Sequence, residues 1–455
     1  MKSNVLKLVL CSALAASLAA CQGGKDKKGS SGQNEDSPLG EPQTVVVSKN
    51  QDSAELTDAG EQLISPFTFH LADRAFAMAV EKDRGNKKAQ FYREFLKRFM
   101  VFRGILSRVQ PYARVHGNSV ALEKTIRDIP DHPVKSFLLD SKGLAPIKDS
   151  SDIQSFLVEY RNAVNSFREY LAQNPDLRFD IYLNPHVFEA AIRARYEATC
   201  SVDTQSPTEF EVYCNALDVA KVKVNAGDLV VLRQMAAGEV LFFSLYTSYS
   251  IAGLEPLFKD LEKAGQMECS GGYSRYNPNT NSYDYADSEC RHLHRQLSSR
   301  EIMQRIEATP GAAKLRKDSG LKYVKQIGLD FIQAAKWAQK YKATLCPSGD
   351  DGVENRPGFL FSKGLCADTS EQAGADLALF DRALQSVVDA KLQNNDGVET
   401  RTQVNYMALF EKPVADLRAL MPASWNAEGK ATSLRDKTFG NTFPRGDAEQ
   451  FILEK

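Results

Sequence analysis

Apolar residues at helical spacing constrain this chain more than any other feature. Ile153, Phe156, Leu157, Tyr160, Val164, Phe167 and Leu171 recur at three- and four-residue steps, which lays one stripe along a helix. Ser151-Asp152-Ile153-Gln154 reads as its capping box and Asn174-Pro175 as its end. Phe91, Phe95 and Phe99, with Tyr92, Leu96, Phe102 and Leu106 beside them, predict a second helix over 90–110. Arg93, Lys97, Arg98 and Arg103 fall off that stripe. Further helices are expected at about 185–200, 227–249, 287–307, 320–343 and 370–393, the last opened by Thr369-Ser370-Glu371-Gln372. The 227–249 segment is the most apolar, but Arg233, Gln234 and Glu239 interrupt it, so it reads as a central buried helix rather than a membrane span. Period-two alternation is scarce and no strand–helix–strand series appears. The expected fold class is therefore mainly α: an irregular helical bundle or stacked helical hairpins with long disulfide-tied loops.

At 455 residues the chain exceeds one ordinary domain, which leaves room for two subdomains after residue 60 and a non-helical tail from about 423. Lys plus Arg (57) almost balance Asp plus Glu (58), which argues against binding nucleic-acid phosphates.

The amino terminus supplies an address. Lys2 and Lys7 form a basic start, and an apolar run follows from Leu8 to Ala20, too short for a bilayer that needs ~20 residues. Leu18-Ala19-Ala20-Cys21 closes it and is similar to the lipobox of bacterial lipoproteins. That resemblance implies a signal peptide over 1–20, cleavage before Cys21, and acylation of Cys21 as the membrane anchor. Gln22 stands where an aspartate would signal inner-membrane retention, so the resemblance implies an outer-membrane lipoprotein facing the periplasm or the exterior. Residues 21–60 read as lipid anchor and flexible tether, because Gly, Ser, Lys, Asp and Asn dominate their start.

Six cysteines follow the tether: Cys200, Cys214, Cys269, Cys290, Cys346 and Cys366. An even number in an oxidising compartment reads as disulfides, and six permit 15 pairings. Proximity along the chain favours Cys200–Cys214, Cys269–Cys290 and Cys346–Cys366.

Four further segments carry a fold-level resemblance. Ser166-Phe167-Arg168-Glu169-Tyr170-Leu171-Ala172-Gln173-Asn174-Pro175 resembles the end of one tetratricopeptide repeat, though no second copy follows at 34 residues. The run from Asn225 to Arg233, Pro413 to Pro422, and Thr438 to Gly446 are similar to the central helix and terminal pattern of uncharacterised helical, tetratricopeptide-like envelope lipoproteins. The resemblance implies a helix closing at proline and an aromatic–glycine turn covering the bundle. It brings no activity. Phe439 and Phe443 are the expected anchors of that tail, with Gly440 at the tight turn.

Chemical motifs are few. The chain has no phosphate-binding glycine loop, no His-Glu-x-x-His, no Gly-x-Ser-x-Gly and no Cys-x-x-Cys, so no catalytic residue, cofactor or metal is assigned. Cys269 and Cys290-Arg291-His292-Leu293-His294 contain the donor types of a zinc site. A helix from residue 288 would turn the two imidazoles about 200° apart, which rules out a shared ion. Asn277, Asn279, Asn281, Tyr283, Asp284, Asp287 and Glu289 form an oxygen-rich stretch, but Ser282 replaces the glycine that an EF-hand loop requires. Tyr273, Tyr276, Tyr283 and Tyr285 lie among Ser, Gly and Asn, a composition favoured by recognition surfaces. The expected function is a non-enzymatic, membrane-tethered scaffold or binding module for a protein or glycan partner. The alternatives are an envelope hydrolase or metal-dependent enzyme with a non-local site, and a small-ligand carrier.

Overall fold

The computed structural model describes residues 39–65, 68–115, 119–128, 133–177, 179–182, 201–206, 209–217, 221–224, 226–265, 267–270, 274–277, 282–285, 289–345, 378, 380–394 and 396–453. The helices of ten or more residues among them are α1 (Ser53–Gln62), α2 (Phe69–Lys82), α3 (Lys87–Met100), α4 (Ser119–Asp128), α5 (Ser150–Gln173), α6 (Ala226–Ser248), α7 (Glu255–Ala264), α8 (Ser299–Ala308) and α9 (Val324–Leu345). Helix α1 packs on α2, α2 on α3, α3 on α5, α5 on α6, and α6 on α9. The protein is thus mainly α, with α1, α2, α3, α5, α6 and α9 packed one on the next. Phe76, Phe91, Tyr92, Leu96, Phe156, Tyr160, Val164, Phe167, Leu232 and Val240 form its continuous core. All but Phe76 are apolar residues of helices expected from the sequence, buried because an apolar face loses about 25 cal/mol per Å² left in water.

Helix ends show where the local code holds and where it shifts. Asp52 caps α1, accepting from the amides of Ala54 and Glu55, while the Glu55 carboxylate accepts from the Asp52 amide at 2.9 Å. Helix α5 is capped by Asp149, whose carboxylate accepts from the Asp152 amide at 3.0 Å, two residues before the expected Ser151. Gln154, expected as the far member of that box, is buried instead. It donates to the Tyr249 carbonyl at 2.7 Å and accepts from the Ile251 amide at 3.0 Å, so a tertiary demand claims it. Asn174 ends α5 as the sequence indicated.

Three helix expectations need correction. The 90–110 stripe is broken after Met100 by Gly104, whose φ of 68° only glycine adopts freely and whose added Cβ would meet the Asp140 carbonyl. Phe102, Ile105 and Leu106 are still buried, so the apolar spacing reported burial and not helix continuity. Within 287–307, residues 289–292 form a strand and helix starts only at Ser299, behind a Ser298–Glu301 capping box. Within 370–393, residues 388–393 form a strand. The expected helix at 185–200 lies outside the described residues.

The strands serve as flanks. They are β1 (Leu39–Val47), β2 (Phe179–Tyr182), β3 (Ser201–Ser206), β4 (Glu209–Leu217), β5 (Lys221–Val224), β6 (Met267–Ser270), β7 (Ser274–Asn277), β8 (Ser282–Tyr285), β9 (Glu289–His292), β10 (Val388–Gln393), β11 (Glu399–Val404), β12 (Pro422–Trp425) and β13 (Ala431–Leu434). Strand β1 pairs antiparallel with β4, which also carries β3. The tether reading of 21–60 therefore stops short, since residues 39–47 join a sheet and 53–60 belong to α1. Val47 is fully buried and explains the difference, because a tether has no such apolar contact to make.

The last third holds its own small core. Hairpins β10–β11 and β12–β13 enclose Ala390, Val404, Leu434, Phe443 and Ala448, and Phe443 stacks on Phe451 with centroids 5.4 Å apart. Phe443 is the anchor the sequence suggested, and Gly440 turns the chain at φ 66° with its amide held by the Asp436 carboxylate at 2.7 Å. The tail is non-helical until the single turn Glu449–Ile452. Its aromatic turn covers this hairpin core, to which β10, part of the expected 370–393 helix, contributes with its partner β11.

Candidate functional site

Helix α6 carries charge into the middle of the stack. The Arg98 guanidinium on α3 meets the Glu239 carboxylate on α6 at 3.0 Å and lies over the rings of Phe95 and Phe167 at 4.9 and 5.0 Å. The Tyr160 hydroxyl of α5 donates to the same carboxylate. Burial, then the Glu239 charge and hydrogen bond, push the Tyr160 phenol far above its ordinary range. One level along, Asp330 of α9 joins Arg168 of α5 and Arg233 of α6, the latter at 3.1 Å, and Gln326 donates to it at 3.1 Å. By length and composition Gly227–Ser248 is apolar enough to cross a membrane, at a mean hydropathy of 1.4. Here its two mid-helix charges are paired with neighbouring helices. Each oxygen of the Glu239 and Asp330 carboxylates has a partner, whereas the Arg233 Nε is buried without one, so the seam fixes helix register mainly through its carboxylates.

A second arrangement opens to solvent. Between α2 and α3 runs a groove of about 540 Å³ lined by Ala77, Val80, Glu81, Arg84, Gln90 and Arg93. One turn before Ala77 stands Asp73, whose carboxyl burial raises to about 6 against the opposing pull of Arg93 and Lys97. Among the described residues, neither the Arg84 nor the Arg93 guanidinium has a hydrogen-bond or ion-pair partner. The sequence reading missed this groove, because Arg93 was legible only as a residue off the apolar stripe.

The described part of the tyrosine segment is strand. Strand β6 pairs antiparallel with β9 and β7 with β8, with the same register offset in both ladders, while residues 271–273, 278–281 and 286–288 lie outside the described residues. Tyr276 is opposite Tyr283, and Ser274 opposite Tyr285. Because paired and alternate positions share a face, Tyr276, Tyr283 and Tyr285 occupy one side of the ribbon. Tyr273 lies outside the described residues. Opposite charges also face one another in the register, Arg275 against Asp284 and Glu268 against Arg291. Of the oxygen-rich stretch, Asn277, Tyr283, Asp284 and Glu289 are strand residues, and Asn279, Asn281 and Asp287 lie outside the described residues.

Of the six cysteines, Cys269 and Cys290 are brought together as direct partners in the β6–β9 ladder. Cys214 lies on β4, opposite Gln43 of β1. Cys21, Cys200, Cys346 and Cys366 lie outside the described residues. His292 ends strand β9 and His294 follows it in a bend, so neither is helical and the helical argument for separating these imidazoles does not apply. Among the described residues no group of three or more His, Cys, Asp or Glu side chains is placed to hold a metal ion.

No family model, curated protein or solved structure matches the chain.

Proposed function

We propose that this protein is a lipid-anchored binding module of the cell envelope, tethered through Cys21 and presenting the ribbon 267–292 to a protein or glycan partner. The observation that supports it best is the register that gathers Tyr276, Tyr283 and Tyr285 on one face of a two-stranded ribbon. Tyrosine offers a large, rigid contact surface with one hydrogen-bonding tip at low entropic cost, which suits protein epitopes and the faces of sugar rings alike. The lipobox and the polar residues after it supply the anchor and the reach. Folded helices then act as the rigid support, not as the reagent.

The test is co-sedimentation of the detergent-solubilised full chain with purified insoluble cell-wall glycan, in parallel with a variant carrying Tyr273, Tyr276, Tyr283 and Tyr285 as serine. Retention of the parent and loss of at least tenfold in the variant, with unchanged far-ultraviolet circular dichroism, supports the reading. Equal retention of both overturns the ribbon as the contact surface, and no retention of either leaves a protein partner as the ligand class to test by cross-linking in intact cells.

A second reading, a carrier for a small anionic ligand, draws on one observation: the α2–α3 groove is lined by Ala77, Val80 and two arginines, Arg84 and Arg93, whose guanidiniums have no hydrogen-bond or ion-pair partner among the described residues. Equilibrium dialysis with a carboxylate-bearing dye, against an Arg84→Ala, Arg93→Ala variant, separates it from the first.

A further inference from the structure

The ribbon 267–292 lacks what usually holds a hairpin together. Its sequence contains Met267 and Ala286 but no Leu, Ile, Val, Phe or Trp, so neither face can bury an aliphatic cluster. A two-stranded ribbon without such a face is marginal in water. At its base, Cys269 and Cys290 are direct partners of the antiparallel ladder. Residues opposite one another in such a ladder have Cα atoms about 4.5–5.5 Å apart, inside the roughly 4.4–6.8 Å range that a disulfide spans. We propose that Cys269 and Cys290 form a cross-strand disulfide that clamps the base of the ribbon and fixes the register of its tyrosine face. The consequence for binding rests on the ribbon being the contact surface, whereas the bond itself does not.

The register also sharpens what proximity along the chain only suggested. A one-residue slip of this hairpin would move each tyrosine to the opposite side relative to its partners. A covalent tie between opposite positions forbids that slip, and the charge pairs Glu268 with Arg291 and Arg275 with Asp284 favour the same alignment.

Formation needs an oxidised dithiol donor. One cysteine thiolate attacks a sulfur of the donor disulfide, forming a mixed disulfide and releasing one donor thiolate. The second cysteine thiolate then attacks the protein sulfur of that mixed disulfide and releases the other donor thiolate. Two protein thiols lose two protons and two electrons, and the donor gains both.

The experiment is tryptic mapping of the full chain, isolated from membranes with free thiols blocked by alkylation before lysis. Arg275 lies between the two cysteines, so cleavage separates peptides 264–275 and 276–291. Recovery of the two as one linked species, which parts on reduction, is expected. Recovery of both as separately alkylated peptides, or of either joined to a different cysteine, overturns the bond. Hydrogen exchange across 267–292 supplies the second readout: reduction should speed exchange there at least tenfold while α5 and α6 stay unchanged. Unchanged ribbon exchange overturns the clamp. If the bond is found and the serine variant still sediments with glycan, the binding reading fails while the disulfide stands.

Discussion

The helical stack and the tyrosine ribbon solve the same problem by opposite means. In the stack, order comes from side chains: Phe76, Phe167 and Val164 are wholly buried, and the charges that enter with α6 are paired on arrival. In the ribbon, order comes from backbone pairing between strands of four residues whose sequence has almost nothing apolar to bury. A rigid support and a solvent-facing surface are different requirements. The first is met by apolar periodicity, the second by register.

That contrast can be broken at its strongest point first. Asp330→Ala leaves the buried Arg168 and the partly buried Arg233 without their shared carboxylate, and should destabilise the protein by about 3–5 kcal/mol. The check is a urea midpoint, and a loss under 1 kcal/mol would mean the seam is not what fixes α5, α6 and α9. Next, Asp73 titrates against folding. Its folded value of about 6 lies above the ordinary 3.8, so between these values the folded state holds more protons than the unfolded one. Stability should therefore fall as pH rises from about 4 to 6 and stay lower above that. Asp73→Asn should flatten this slope and raise stability at pH 7 by on the order of 1–3 kcal/mol, measured by thermal melts at pH 5 and 7.

Smaller effects test the boundaries. Asp149→Ala removes the cap of α5 and should cost about 1 kcal/mol, while Ser151→Ala should cost less than half of that, since Ser151 is not the cap. The smallest belongs to the ribbon: serine at its tyrosines should shift the global midpoint by no more than about 0.5 kcal/mol. A large loss there would mean the tyrosines belong to a core and not to a contact surface.

Much of the stack was legible because burial imposes a period. Ile153 to Leu171 and Leu229 to Val240 announce their helices, and Asn174-Pro175 announces an end. The hairpins were less legible, although Asp396-Gly397 between Val388-x-Ala390-x-Leu392 and Thr400-x-Thr402-x-Val404 is a turn signal between alternating runs, with Gly397 at φ 75°. Short strands of four to six residues carry too few positions for a period-two pattern to stand out from a helix fragment.

By itself the sequence determined the mainly helical class, the apolar faces and the composition of the tyrosine segment, because these depend on local spacing and side-chain chemistry. Tertiary structure alone decided that Gln154 reaches the segment between α6 and α7, that Arg168 and Arg233 share Asp330, that Gly104 breaks a continuous apolar stripe, and that Cys269 is paired opposite Cys290 in the ladder. Each of these joins residues distant in the chain or answers to a neighbour's position. Such pairings follow from how elements pack, and no local pattern encodes them.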